Sequence, residues 1–230
     1  MNRLYTATMV VASLIAPHLS TAQLAFGGEP IGLRASRNGL PEAPEERLPA
    51  VDVDALLTED AARVEAGYKG AYRFGFTHTT AFGLENSGIW HTRDNGDRVW
   101  RTELYCPGAL GIGVIFGTYV IPTGGQVFLY NRTGERFGAY TAQSNPGHQV
   151  LGVQPIKGDR VFVEYVEPAA VAGQGSLVIT TVTHVYRSPG PGYARDFGDS
   201  GECNVNVICP DGDDWRAEIR SVACIIAGGG

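Results

Sequence analysis

Between Ala71 and Arg187 the chain is a succession of short segments in which β-branched and aromatic residues alternate with polar ones. The segments are YRFGFTHT, RVWRTELYC, IGVIFGTYVI, GQVFLYNR, RVFVEYVEP and SLVITTVTHVYR. Turn signals separate them: Asp94-Asn95-Gly96, Pro107-Gly108, Pro122 to Gly125, Asn131 to Gly134, and Gly158-Asp159. A period of two places alternate side chains on opposite faces, so each segment reads as a strand with one buried face. About eight or nine strands at this spacing predict an antiparallel β-sandwich, and about 115 residues suffice for one core. The 31 glycines and 13 prolines suit short strands joined by turns.

The flanks read differently. Arg3 and the apolar run centred on MVVASLIA predict a signal peptide over 1–22, with cleavage between Ala22 and Gln23 behind small residues. That run is shorter than the roughly 20 apolar residues of a membrane span, and Pro17 interrupts it. The expectation is a secreted protein, extracellular or periplasmic, without a span. Residues 23–70 read as a flexible segment rich in Gly, Pro and Glu, containing a helix over 52–66. In that helix Val53, Leu56, Leu57, Ala61 and Val64 recur at helical spacing, Asp52 is placed to cap, and Gly67 to stop. Residues 188–197 form a second linker.

The net charge of −6 comes largely from residues 42–67, which hold eight acids against Arg47 and Arg63. No basic face for nucleic acid is visible, and the acidic helix face reads as solvated surface. The four cysteines, Cys106, Cys203, Cys209 and Cys224, lack metal-ligand spacing, so neither metal nor cofactor is implied.

Gly198-Asp199-Ser200-Gly201 spells the motif around the nucleophile of trypsin-like proteases. Such a serine needs an upstream histidine base in hydrogen-bond reach and a donor-lined turn for the oxyanion. His78, His91, His148 and His184 lie outside any such context, and Glu202-Cys203 stands where the oxyanion turn would follow. A larger pattern accounts for the motif. Ser200, Gly201, Cys203, Asn204, Val207, Cys209, Pro210, Gly212 and the run Arg220-Ser221-Val222-Ala223 resemble the start of the mature domain in the lysyl endopeptidase family of secreted bacterial serine proteases. Upstream, Arg73-Phe74-Gly75, Val99-Trp100-Arg101, Val127 to Asn131 and His184 to Arg187 follow the order of that family's pro-region.

The resemblance implies a mainly β precursor: a short helix, an antiparallel β-sandwich pro-domain over 71–187, and over 198–230 an incomplete start of a trypsin-like barrel. Ser200 then marks the beginning of the mature domain rather than its nucleophile. No catalytic residue is assigned within this chain, which ends at ACIIAGGG before the family's triad. The partners implied are a downstream catalytic domain of the same precursor and, for the full enzyme, peptide substrates cleaved after Lys or Arg. Processing is expected near Arg195, Phe197 and Gly198. Cys203 and Cys209 match family cysteines that bond to partners deep in the catalytic body, so free or heterogeneous thiols are expected over 203–224.

Other candidates carry bland alternatives. His78, His91 and Asp94 form a nominal metal or acid–base set, but strand histidines are more often simply hydrogen-bonded. Asp211, Asp213 and Asp214 resemble half a calcium loop without its closing glutamate. Asn131-Arg132-Thr133 matches a glycosylation acceptor. Trp90 and Trp100 suit a sugar platform or, by default, the core. A secreted sandwich that binds carbohydrate or protein without catalysis is the alternative function.

Overall fold

A computed structural model describes residues 24–34, 39–68, 70–188 and 213–214. Over these residues the chain is mainly β, two sheets packed as a sandwich with one α-helix. The elements are β1 (Glu45–Arg47), α1 (Val53–Glu65), β2 (Gly75–Gly83), β3 (Ile89–Thr92), β4 (Arg98–Tyr105) and β5 (Gly111–Val120). They continue with β6 (Gln126–Tyr130), β7 (Arg136–Tyr140), β8 (Leu151–Lys157), β9 (Arg160–Glu167) and β10 (Ser176–Val185). One sheet runs β1-β4-β9-β6-β7 with β3 also on β4; the other runs β2-β10-β5-β8. All pairings are antiparallel except β1 with β4.

The expected turns fall where the chain reverses. Gly96 closes the β3–β4 hairpin at φ +84°, its N–H donating to the Arg93 carbonyl, a conformation that costs a glycine little. Between the sheets lies a core of Trp100, Leu104, Ile112, Phe116, Leu129, Val163, Tyr165, Leu177 and Ile179, all essentially inaccessible to solvent. Alternation on β9 sends Val161, Val163 and Tyr165 into this core and Phe162 and Glu164 to the opposite face. Pro155, which cannot donate to a ladder, sits on the edge strand β8.

Residues 24–34 and 39–48 depart from the flexible segment expected of their composition. They cross the outer face of the first sheet as a strap. The Leu24 and Phe26 amides donate to the Ser144 and Ala139 carbonyls at 3.1 and 2.9 Å, covering the β7 edge. At the opposite edge β1 lies along Glu103 to Tyr105 of β4, while β3 takes Arg98 to Arg101. Both edges of this sheet are thereby occupied, which removes open pairing templates. Beneath the strap Phe128, Tyr130, Ala139 and Phe162 form a second apolar cluster with Ala43 and Leu33 of the strap itself.

Helix α1 begins where expected, with Asp52 Oδ1 accepting from the Ala55 amide at 3.0 Å. Its docking face differs from the apolar stripe. Leu57 and Val64 are 40% and 72% exposed, and the one buried residue of the helix is Asp60. Asp60 accepts from the Tyr186 hydroxyl at 2.7 Å and from Arg73 Nε at 2.8 Å, and pairs with Arg187 at 3.2 Å. Burial alone would raise its carboxyl pKa, but these three partners outweigh burial and hold it below the ordinary value. An acid within the stretch read as solvated surface is thus the anchor of α1, because few apolar side chains hold the helix to the strands. Asp60→Asn should release α1 alone: hydrogen exchange over 53–65 should accelerate at least tenfold while β4 and β9 stay protected.

Candidate functional site

The most densely built polar centre lies where the strap crosses β9. Glu164 is completely buried on the outer face of a central strand. The Ile31 amide donates to its Oε1 at 2.6 Å, and the Gly32 amide to its Oε2 at 2.9 Å. The Tyr130 hydroxyl donates to Oε2 at 3.1 Å and accepts from Arg101 Nη2 at 3.2 Å. Arg101 itself is 5% exposed; its Nε lies 3.6 Å from Glu164 Oε2 and its Nη1 donates to the Pro41 carbonyl at 3.1 Å. A buried carboxylate requires such donors, since its desolvation costs several kcal/mol. The two consecutive amides come from the short 3-10 turn Ile31–Leu33, which follows Pro30. Gly32 must be glycine there: a Cβ would stand 2.0 Å from the Tyr130 hydroxyl oxygen. The arrangement holds a peptide backbone on a carboxylate, and the peptide is the chain's own strap.

A second carboxylate, Glu167, closes the end of β9. It accepts from Arg98 Nε and the Tyr165 hydroxyl, both at 3.0 Å, and from the Gly173 and Gly175 amides at 2.9 and 3.1 Å. Burial raises its pKa, but the Gly173 amide, Arg98, the Gly175 amide and Tyr165 together hold it below the ordinary 4.5. A carboxyl depressed on folding gives stability that is full above its unfolded value and lost as pH falls through the lower folded value.

The sequence-derived candidates do not converge. His78 is buried on β2 and His91 lies on β3 of the other sheet; Asp94 is exposed in the β3–β4 turn. Among the described residues no group of three or more His, Cys, Asp or Glu side chains is placed to hold a metal. His78 instead neighbours His184 of β10, with ring centroids 6.5 Å apart. Asn131 is 5% exposed: its amide nitrogen donates to Glu135 and the Lys157 carbonyl, and its oxygen accepts from Thr133 and the Glu135 amide. Buried and committed in this way, it closes the β6–β7 turn and does not present a glycan acceptor.

Trp100 is wholly buried, its indole N–H on the Ser87 carbonyl. Trp90 packs edge-on against Tyr165 and carries the Arg98 guanidinium 4.3 Å above its ring. Neither indole face is an open platform. Cys106 is a buried free thiol, its pKa pushed up to about 12 by burial and by Asp159. Asp213 and Asp214 are exposed. Ala22, Gln23, Arg195, Phe197, Gly198, Ser200, Cys203, Cys209, Asp211 and Cys224 lie outside the described residues. No helix among the described residues is long and apolar enough to cross a membrane.

Sequence reasoning missed Glu164 and the strap. The signal was present in RVFVEYVEP: glutamates within an otherwise apolar strand imply buried carboxylates needing donors from elsewhere.

No protein-family model matches the chain. A solved structure described as a family 35 carbohydrate binding module from an environmental isolate is 14% identical, with a TM-score of 0.19, over 53% of this chain and 96% of that one.

Because Phe128, Tyr130 and Phe162 lose their cover and Glu164 its two amide donors when the strap is absent, a fragment of residues 71–187 should unfold at lower urea than one of 24–188. The expected loss is about 3 kcal/mol, the order of re-exposing one or two large apolar side chains. Equal midpoints would make the strap ornamental. Within the full chain, Gly32→Ala should lift the strap and give a smaller loss in the same direction.

Proposed function

We propose that the chain carries the pro-region and the first mature residues of a secreted serine endopeptidase precursor, with catalytic residues supplied downstream. The observation that carries this reading is the run from Ser200 to Ala223, with Cys203 and Cys209 at the spacing of the lysyl endopeptidase family. The fold is compatible with it. The sandwich is finished at Val185, the end of β10, and the segment holding Arg195, Phe197 and Gly198 follows shortly after. A protease cutting after a basic residue would find Arg195 a few residues before the family start.

On this reading the sandwich serves as a folding or inhibitory partner of the downstream domain. Ser200 is an ordinary N-terminal residue of the mature part, since a serine hydroxyl is a weak nucleophile without a positioned base. The competing reading, a carbohydrate-binding sandwich using Trp90 and Trp100, is weakened because both indole faces are occupied.

Two measurements test the proposal. Incubating a precursor extended by its downstream coding sequence should yield a new N-terminus between Asp196 and Ser200; an intact linker beside an active protease would refute self-processing there. The 230-residue chain should show no labelling by a fluorophosphonate probe and no difference on Ser200→Ala. Labelling lost in that variant would place the nucleophile in this chain.

A further inference from the structure

His78 and His184 project into the sandwich from neighbouring strands. In the β2–β10 register His78 lies opposite the core residue Val182, and in the β10–β5 register His184 lies opposite the core residue Ile112. The rings meet edge-on, 61° between their planes, with His78 at 8% and His184 at 0% exposure. Neither ring nitrogen of His184, nor Nε2 of His78, has a hydrogen-bond partner among the described residues. Phe76 packs edge-on against His78 at 5.1 Å and is itself 41% exposed, so the pair lies beside the exposed margin of β2.

The surroundings offer nothing to an imidazolium. His78 is the one titratable residue on β2, His184 the one on β10, and Tyr119 the one on β5. Lys157, at the exposed end of β8, is a cation beside Gly111. The titratable groups of the shared core are Cys106, Tyr119, Tyr140 and Tyr165, all held neutral by burial. Beyond the strand ends, Asp60 is already shared by Arg73, Arg187 and Tyr186. A protonated ring would bring a charge and two N–H donors into a space without acceptors, beside a second ring with the same difficulty.

We propose that His78 and His184 form an acid-operated lock within the sandwich, in which protonation of either ring expels it from the core and peels the edge strand β2 from β10. β2 is placed for this: among the described residues it ends the second sheet and pairs with β10 alone. The lock does not depend on the precursor reading, and a failure of either leaves the other standing.

Burial, and for His184 also the neighbouring His78, holds both rings below the ordinary 6.5. A histidine depressed on folding contributes full stability above its unfolded value and loses it as pH falls below that value. Each ring therefore lowers the folding constant by about tenfold per pH unit until its folded value is reached. The depressed carboxyls of Glu167 and Asp60 give up their contributions only below 4.5 and 3.8, so the window between pH 6.5 and 4.5 belongs to the histidines.

The test is urea unfolding of the full chain, under reducing conditions, at about pH 7.5 and about pH 5.0. The folding constant should fall at least tenfold, with exchange over 75–83 rising first. His78→Phe should remove about half of the logarithmic loss, whereas His148→Asn, at an exposed position, should leave it intact. Should either variant fail to fold, proton NMR of the unaltered chain decides. The two buried imidazoles should stay neutral in the folded state well below pH 6.5. Equal stability at both pH values, or two rings titrating near 6.5 in a folded protein, would overturn the lock.

Discussion

A carboxylate on the wrong face of a central strand organises the first sheet. Alternation on β9 gives Val161, Val163 and Tyr165 to the main core, which leaves Glu164 pointing outward from the middle of the sheet. Solvated, it would be unremarked. Covered, it needs donors, and the strap supplies two backbone amides while Tyr130 and Arg101 supply the rest. Covering the sheet and satisfying the charge are one event. The strap cannot bury Phe128, Tyr130 and Phe162 without passing Glu164, and it cannot pass Glu164 without presenting Ile31 and Gly32 in register. Hydrophobic cover alone would tolerate a sliding strap; the carboxylate admits one position, which is how a buried charge serves specificity at little net gain in stability.

The second sheet follows the opposite rule. Its outer face carries Thr77 opposite Thr183 and Thr79 opposite Thr181, with Gly75, Gly113 and Pro155 around Thr183. Small and hydroxylated side chains leave little apolar area to cover, and no second strap is drawn to them among the described residues. Helix α1 confirms the economy. It is held through Asp60 to Tyr186, Arg73 and Arg187 rather than through Leu57 or Val64.

What the sequence made legible follows from the range of the forces involved. Strands such as 98–106 and 160–168 and the turn at Asp94 to Gly96 are written in local alternation and local backbone preference, and the structure has them. The strap is not written locally: Gly27, Gly28, Pro30 and Pro41 look like linker residues, and their order comes from Glu164, some 130 positions away. The short strand β7 hides behind Gly138, whose φ of +117° no period-two pattern anticipates. The histidines were legible as residues but not as a pair, because only the register of β2 on β10 brings them side by side. The nominal site of His78, His91 and Asp94 failed for the same reason, since the first two belong to different sheets.

The two sheets consequently answer acid at different pH. The fastenings at the ends of β9 and α1 are carboxylates held charged by arginines, hydroxyls and amides, and they persist until well into the acid range. The histidines act earlier and from inside the second sheet, whose edge β2 has neither strap nor second neighbour among the described residues. Mild acid therefore removes one strand from the sheet that is held least, while the strapped sheet keeps its charge pairs and its cover. On the precursor reading that order has a use, because Tyr186 and Arg187, which bond to the Phe74 and Arg73 carbonyls beside β2, stand just before the segment read as the processing linker. Loosening β2 frees the anchorage of that linker without dissolving the domain that precedes it.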